Sequence, residues 1–410
     1  MPEQPRVFVV DDNSESRDLL RRVLEKADFE VETWSSGADA IPAIIKAAPA
    51  CVVLDIMLPD MDGLQVCRKL RDESRLANTR IVVHSAKSYD YDRRRAFAFG
   101  ADDFVPKPII NQEEFRERIR RLIDDEIQVE FWGVRGTLPV PGQNSLRYGG
   151  NTSCVSLSIP NKPVFIFDAG SGIRALGEKI NPRNGLHIEA NVFISHAHWD
   201  HVNAVPFFSP LYTPGNSIKI IGPNNPEISV EEMISEQMSS VYFPITVNEL
   251  GARLSYTDLS QGVYDFSGVR VRTMLLRHPG NCLGYRVEYA GRSVCYVTDN
   301  ELYPVDTEQY SEIYRNDLLE FVRGTDLLIT DTTYTDAEYP RYIGWGHSCV
   351  GEVVDLAIAA GVKRLCLFHH DPGQSDEMID LKLESAQRTI REKEAELKVL
   401  APGEGLKIAV

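Results

Sequence analysis

"NVFISHAHWDHVNAVPFF", residues 191–208, places three histidines and an aspartate within six positions, directly behind the apolar run Val192-Phe193-Ile194. Extended backbone alternates its side chains, so His196 and His198 leave one short segment on the same side and can reach one metal ion. Asp200 and His201, a little further round the turn, can reach a second. Imidazole and carboxylate without thiolate suit Zn²⁺, and also Mn²⁺ or Fe, and leave positions open for water. A structural zinc site more often uses cysteines and closes all four positions. A carboxylate shared between two such ions would hold them ~3.5–4 Å apart, as in two-metal hydrolases.

Three later runs end in the same way. Thr273-Met274-Leu275-Leu276 leads to Arg277-His278-Pro279, Val294-Cys295-Tyr296-Val297 to Thr298-Asp299-Asn300, and Leu365-Cys366-Leu367-Phe368 to His369-His370-Asp371-Pro372. Each puts a potential ligand where a strand stops. From residue 127 onward, short strands alternate with Gly/Pro/Asn turns, and helices are expected later, near 231–241, 310–323 and 349–360. This pattern reads as a mixed α/β domain.

At 410 residues the chain is too long for one ordinary core, and two domains are expected. No apolar run approaches the ~20 residues that span a bilayer, and the opening MPEQPRVFVVDDN lacks a signal-peptide layout. Seven cysteines without a C-x-x-C pair fit a reduced, cytoplasmic setting. Net charge is −16. It divides at residue 126 into −5 (20 Lys+Arg against 25 Asp+Glu) and −11 (24 against 35). Such a surface argues against generic nucleic-acid binding, which needs a basic stripe.

The first 126 residues follow a different rhythm. Arg6–Val10, Cys51–Leu54, Arg80–Val83 and a short run at 103–105 are continuous apolar strands separated by helical spacing such as Leu19, Leu20, Val23 and Leu24. Strands of this kind build a parallel, doubly wound sheet with its site at the carboxyl ends. Asp11, Asp12, Asp55, Ser85 and Lys107 all fall there. Three carboxylates together repel unless a hard cation such as Mg²⁺ sits among them. A lysine and a hydroxyl opposite would hold phosphoryl oxygens.

"VVDDN", "LDIMLPDMDG", "HSAKS" and "DDFVPKPI", in that order, resemble the receiver domain of two-component response regulators over residues 5–126. The resemblance implies a five-stranded flavodoxin-like fold with Asp55 as phosphoacceptor. It also implies Mg²⁺ on Asp11, Asp12 and the Met57 carbonyl, phosphoryl contacts from Ser85 and Lys107, and Phe104 as an aromatic switch. Ser85 stands where threonine is commoner and keeps the hydroxyl. A histidine kinase or phosphotransfer protein is the implied partner. The last helix, opening at Asn111 with Phe115, Ile119 and Leu122 on its buried face, runs without a Gly/Pro/Ser spacer into the strand-like Ile127–Phe131. A stiff join and a homodimer are expected.

"HAHWDH" with His278, Asp299 and His369 resembles the metallo-β-lactamase superfamily over residues 128–410, which implies an αββα sandwich with its site at one edge. By that resemblance His196, His198 and His278 bind one metal, Asp200, His201 and His369 the other, and Asp299 bridges. His370 competes with His369, which is preferred because it comes first after the strand. β-Lactam hydrolases commonly have cysteine at the place of Asp299, and flavo-diiron relatives glutamate at that of His198. "LLITDTTY" followed by "GWGHSC", residues 344–349, resembles the phosphodiesterase branch that includes ribonuclease Z. There the histidine protonates the leaving alkoxide and an acidic residue orients it. His347 and Asp331 would take those roles, with Asp331 replacing the usual glutamate. "FWGVRGTLPVPG", "RYGGNTSC" and "LFHHDP" resemble an uncharacterised bacterial group in this branch.

Arg135, Arg147 and Arg277 lie near motif turns and read either as contacts to a substrate phosphate or as ordinary surface arginines. The stretch 235–245, with Met238, Val241, Tyr242 and Phe243, reads either as pocket rim or as packing. No Gly/Pro-rich tRNA-clamping arm is seen. The expected output is therefore a phosphorylation-controlled dinuclear metal phosphodiesterase acting on a small cyclic nucleotide or short oligonucleotide. The runners-up are a lactonase or thioesterase on the same metals and a non-catalytic signalling module.

Overall fold

Strands buried along most of their length must be covered on both faces, and the first unit is built around four of them. In the computed structural model, which describes residues 4–86, 89–181 and 187–410, five parallel strands stand in the order Glu30–Trp34, Arg6–Val10, Cys51–Leu54, Arg80–Ser85, Asp103–Pro106. Cys51–Leu54 is buried throughout, and one apolar cluster covers each sheet face. Glu30–Trp34 pairs on one side only; its alternating EVETW pattern fits an edge strand. Asn111 caps the helix Gln112–Asp124 by accepting from the Glu113 and Glu114 amides. Phe115, Ile119 and Leu122 are that helix's buried residues, as their spacing requires.

His84 lies inside this unit, and its ring nitrogens have no hydrogen-bond partner. Its ring is 6.0 Å from that of Phe115. Burial chiefly, and then the Lys107 charge, pull its pKa down to about 4. In the unfolded chain an imidazole titrates near 6.5, so between those values the unfolded state binds more protons. Stability is therefore full above about pH 6.5 and falls as the pH drops toward 4. The receiver's urea-unfolding transition in the full chain should move to lower denaturant between pH 7 and pH 5. His84→Asn should flatten that dependence, and an unchanged slope would refute the assignment.

The second unit begins at Ile127. Seven strands form one sheet in the order Arg253–Leu259, Ser217–Pro223, Glu189–Phe193, Val164–Phe167, Cys154–Ser158, Gln128–Gly133, Lys407–Ala409. Seven more form another: Gly262–Phe266, Val269–Leu275, Leu283–Tyr289, Arg292–Val297, Leu327–Asp331, Arg364–Phe368, Lys398–Leu400. One apolar cluster, including Phe131, Phe165, Phe167 and Phe193 from the first sheet and Tyr285, Tyr296, Ile329 and Phe368 from the second, fills the space between them. Two further clusters lie on the outer faces. Helices Ile173–Ile180 and Val230–Gln237 contribute to one, and Glu312–Val322, Val350–Ala359 and Asp376–Glu392 to the other. The layering is helix, sheet, sheet, helix, so the expected αββα sandwich and doubly wound receiver are both present.

The helices expected near 231–241, 310–323 and 349–360 are found at 230–237, 312–322 and 350–359. Three others lie outside those ranges, one of them the single turn Trp199–Val202. Ile173–Ile180 spans barely two turns and comes early, against the expectation that helices come late. Asp376–Glu392 is the longest of the three, with 17 residues. No helix among the described residues is long and apolar enough to cross a membrane. All seven cysteines are free and buried.

Candidate metal centre

In each sheet several neighbouring strands run parallel, and their carboxyl ends carry the polar residues. Val164–Phe167 is followed by Asp168, Glu189–Phe193 by His196, Arg292–Val297 by Asp299 and Arg364–Phe368 by His369, while Leu327–Asp331 ends on Asp331 itself. Asp168, Asp299 and His369 hold positive φ, at 60°, 44° and 58°. That backbone costs a side-chain-bearing residue roughly 1–2 kcal/mol, and such strain concentrates at functional sites. His198 precedes the single-turn helix Trp199–Val202, which carries Asp200 and His201.

These ends converge into two groups that share one carboxylate. His196, His198, His278 and Asp299 bring ligand atoms together, as do Asp200, His201, Asp299 and His369. Asp299 Oδ2 lies 3.7 Å from His196 Nε2 and 3.6 Å from His278 Nε2. Its Oδ1 lies 3.1 Å from both His201 Nε2 and His369 Nε2. Asp200 Oδ2 is 3.1 Å from His201 Nε2 and 3.2 Å from His369 Nε2. The two oxygens of Asp299 thus face different histidine sets, the geometry a bridging carboxylate needs. His370, the rival of His369, is buried elsewhere, with neither ring nitrogen partnered.

Whether divalent metals fit can be judged from the outer ring nitrogens. His201 Nδ1 donates to Asp168 Oδ2 at 2.7 Å, and His278 Nδ1 donates to the Gly346 carbonyl at 2.9 Å. His196 Nδ1 lies 3.0 Å from Ser195 Oγ and His369 Nδ1 3.2 Å from Thr333 Oγ1. Tying one nitrogen fixes the tautomer and turns the other's lone pair inward, as metal-binding histidines require. The inward Nε2 atoms of His196 and His201 are buried without a hydrogen-bond partner. Four buried carboxylates, Asp168, Asp200, Asp299 and Asp331, gather here, and buried charge persists only when offset. Burial, the largest influence, pushes the Asp299 carboxyl up, yet His201, His369 and His196 together hold it well below the usual carboxylate range. A nitrogen–oxygen donor set of this charge fits two divalent ions.

Beside the second group stands His347. Its Nδ1 is 2.7 Å from Asp331 Oδ2, and its ring stacks on His369 with centroids 5.0 Å apart and planes 19° off parallel. Asp331 is fully buried and also accepts from the amides of Asn300 and Thr333. Burial alone would pull the His347 pKa down, but the Asp331 charge and hydrogen bond outweigh it and raise it to about 9.

Several residues of this site were not foreseen. Asp168 accepts from the Ser195 amide and hydroxyl and from the Tyr296 hydroxyl as well as from His201. An aspartate ending the apolar run "VFIF" was its signal, the same one that exposed Asp299. Glu301 fastens the 344–346 turn by accepting from the Gly344 and Gly346 amides and the Tyr339 hydroxyl. The Thr137 amide donates to Asp200 at 2.6 Å. Gly136 lies so close that a Cβ there would stand 2.2 Å from the His369 ring, which only glycine allows.

Among the three arginines the structure corrects the expectation for Arg135. Arg135 is fully buried, donates to the carbonyls of Gln374 and Gly149, and pairs with Asp376. It ties the loop after Gly133 to the start of helix Asp376–Glu392 and is not a phosphate contact. Arg147 is engaged by Asp380 and Glu377. The Arg277 guanidinium lies over Tyr314 and Tyr303 and donates to the Gln309 carbonyl. In the 235–245 stretch Met238 is buried packing and Phe243 packs edge-on to Phe207, while Val241 and Tyr242 are exposed.

In the first unit Asp11, Asp12 and Asp55 cluster at the strand ends. Lys107 Nζ lies 2.6 Å from both Asp11 Oδ2 and Asp55 Oδ2, and the Met57 amide donates to Asp55 Oδ1 at 3.1 Å. Ser85 and Phe104 are buried. Lys87 and Ser88 of "HSAKS" lie outside the described residues.

Comparison with known proteins agrees with this division. The model of the response regulator receiver domain matches residues 7–120, and that of the beta-lactamase superfamily domain matches residues 164–370. The transcriptional regulatory protein GltR of Pseudomonas aeruginosa is 38% identical over 130 residues, 32% of this chain and 52% of GltR. SrrA of Staphylococcus aureus is 38% identical over 26% of this chain and 43% of its own. The chain thus spans about half the length of the curated relatives it matches. The metallo-β-lactamase fold protein YhfI of Bacillus subtilis superposes with a TM-score of 0.50 at 15% identity, over 70% of this chain and 100% of that one, a likeness of fold. The superfamily match alone takes in just over half of the residues, and the chain belongs to the β-lactamase superfamily, with a response regulator receiver domain fused ahead of it.

Proposed function

We propose that residues 127–410 form a dinuclear metal phosphodiesterase whose activity is set by phosphorylation of Asp55 in the receiver, residues 1–126. The observation that carries this reading is the His347–Asp331 pair, stacked against the ligand His369. His347 gives Nδ1–H to Asp331, so Nε2 is the atom that holds and delivers a proton. A buried carboxylate behind an imidazole keeps it charged and aimed, as a general acid for a leaving alkoxide requires.

His196, His198 and His278 would hold one metal, and Asp200, His201 and His369 the other, with Asp299 between them. Zn²⁺ suits the donors best, with Mn²⁺ or Fe as alternatives. When bound, the two ions activate water and neutralise charge on the phosphoryl group. Asp168 and the Gly346 carbonyl keep His201 and His278 in the ligating tautomer. In the receiver, Asp11, Asp12 and the Met57 carbonyl would hold Mg²⁺ beside the phosphoacceptor Asp55, Lys107 and Ser85 would meet the phosphoryl group, and a histidine kinase or phosphotransfer protein would supply it.

The substrate we assign is a small phosphodiester. A net charge of −16 disfavours a long polyanion. The test is turnover of bis(p-nitrophenyl) phosphate by the zinc- or manganese-loaded full chain, with and without acetyl phosphate. The expected result is turnover that chelation abolishes and acetyl phosphate changes, the second effect vanishing in Asp55→Asn. Metal-dependent turnover indifferent to acetyl phosphate would remove the regulatory half of the reading.

A further inference from the structure

We infer that Trp345 is a stacking platform for the base of the substrate, which makes a nucleotide diester the substrate class of this site. This rests on the phosphodiesterase reading above. Trp345 is 63% exposed, although burying a large aromatic ring stabilises a fold more than burying almost any other side chain. The exposure does not come from a slack loop. The amides on either side, of Gly344 and Gly346, each donate to Glu301 at 2.7 Å. The Gly346 carbonyl accepts from the ligand His278, and Ser348 Oγ donates to the Asn300 carbonyl at 2.5 Å. Gly344 and Gly346 sit at φ +87° and +86°, a backbone that presents the residue between them on a tight, pinned turn.

The position is equally specific. Trp345 is two residues before His347, and its neighbour Gly346 lies so close to His278 that a Cβ would stand 2.4 Å from Nδ1. The indole is braced by Tyr342, with ring centroids 5.2 Å apart and planes at 81°. Tyr342 in turn stacks on Tyr334 at 4.4 Å, and Tyr334 meets the edge of His347 at 6.2 Å. A chain of aromatic rings therefore leads from the general-acid histidine to an exposed indole.

The three arginines near the motif turns offer such a substrate little. Arg135 is buried in a structural role, and the guanidinium groups of Arg147 and Arg277 are engaged by Asp380 and Glu377 and by Tyr314, Tyr303 and Gln309. With the metals meeting the phosphate, the exposed indole is the surface that can recognise a base. Base–aromatic stacking supplies that recognition without regard to net charge.

The test compares binding of adenosine 5′-monophosphate and ribose 5-phosphate to the zinc-loaded full chain by titration calorimetry. The two ligands share sugar and phosphate and differ in the base. The wild type is expected to prefer the adenosine compound. Trp345→Ala should lower the ratio of the two affinities about tenfold to a hundredfold, the range of one base–aromatic stack, and Trp345→Phe should keep most of the preference. An unchanged ratio in Trp345→Ala, no preference in the wild type, or a phenylalanine variant as impaired as the alanine one would overturn the platform. A change in oligomeric state without a change in the ratio would overturn it too and mark Trp345 as an interface residue. If the wild type cleaves no phosphodiester but the ratio collapses in Trp345→Ala, the platform stands and the assigned reaction falls.

Discussion

Asp299→Asn is expected to lower phosphodiester turnover by about a thousandfold or more and to leave the protein short of metal after dialysis. Asp299 Oδ2 faces His196 and His278, and Oδ1 faces His201 and His369. Asparagine preserves the shape but offers one neutral oxygen, so the two histidine sets lose their shared anionic ligand. Metal-based stabilisation of a phosphoryl transition state contributes several kcal/mol, and each 1.36 kcal/mol is tenfold in rate. Elemental analysis together with steady-state turnover reads both effects. A variant that kept its metal and most of its rate would show that Asp299 does not bridge.

His347→Ala should produce a loss that depends on the leaving group. For a diester with an alkoxide leaving group, removing the proton donor is expected to lower kcat/KM by about 10²–10⁴. For bis(p-nitrophenyl) phosphate the leaving phenolate is stable without protonation, and the loss should stay within about tenfold. The ring stacks on His369, so a merely structural role would depress both substrates alike. Metal content distinguishes the cases, since His347 is not among the proposed ligands. Unimpaired cleavage of alkyl diesters in this variant would show that His347 is not the acid, whereas lactone opening, where no such acid is called for, should be scarcely affected.

The sequence was informative where one local rule applied. An apolar strand that stops at a histidine or aspartate marks a sheet edge, and that rule located His196, His278, Asp299 and His369 as well as Asp11 and Asp55. It applied equally to Asp168, which was overlooked because one aspartate in "FDAGSG" has no histidine beside it to suggest metal. Arg135 shows the opposite limit. Its motif context suggested substrate, but its fate is decided by Asp376, 241 residues away, and only the folded chain brings that partner near. Glu301 was illegible for a related reason. Its two oxygens serve a turn more than forty residues on, and no spacing rule connects them. The edge strand Glu30–Trp34 carries charged residues at alternate positions, so it lacked the continuous apolar run that marked its neighbours.

A dinuclear phosphodiesterase with His347 as its acid shows itself in kcat/KM for the zinc-loaded wild type across phosphodiesters with graded leaving groups, from p-nitrophenyl to simple alkyl. Metal-dependent cleavage is expected across the series, with a rate that falls only weakly as the leaving group worsens, because His347 protonates it. No cleavage of any diester in the series by protein carrying its full metal complement would rule this enzyme out.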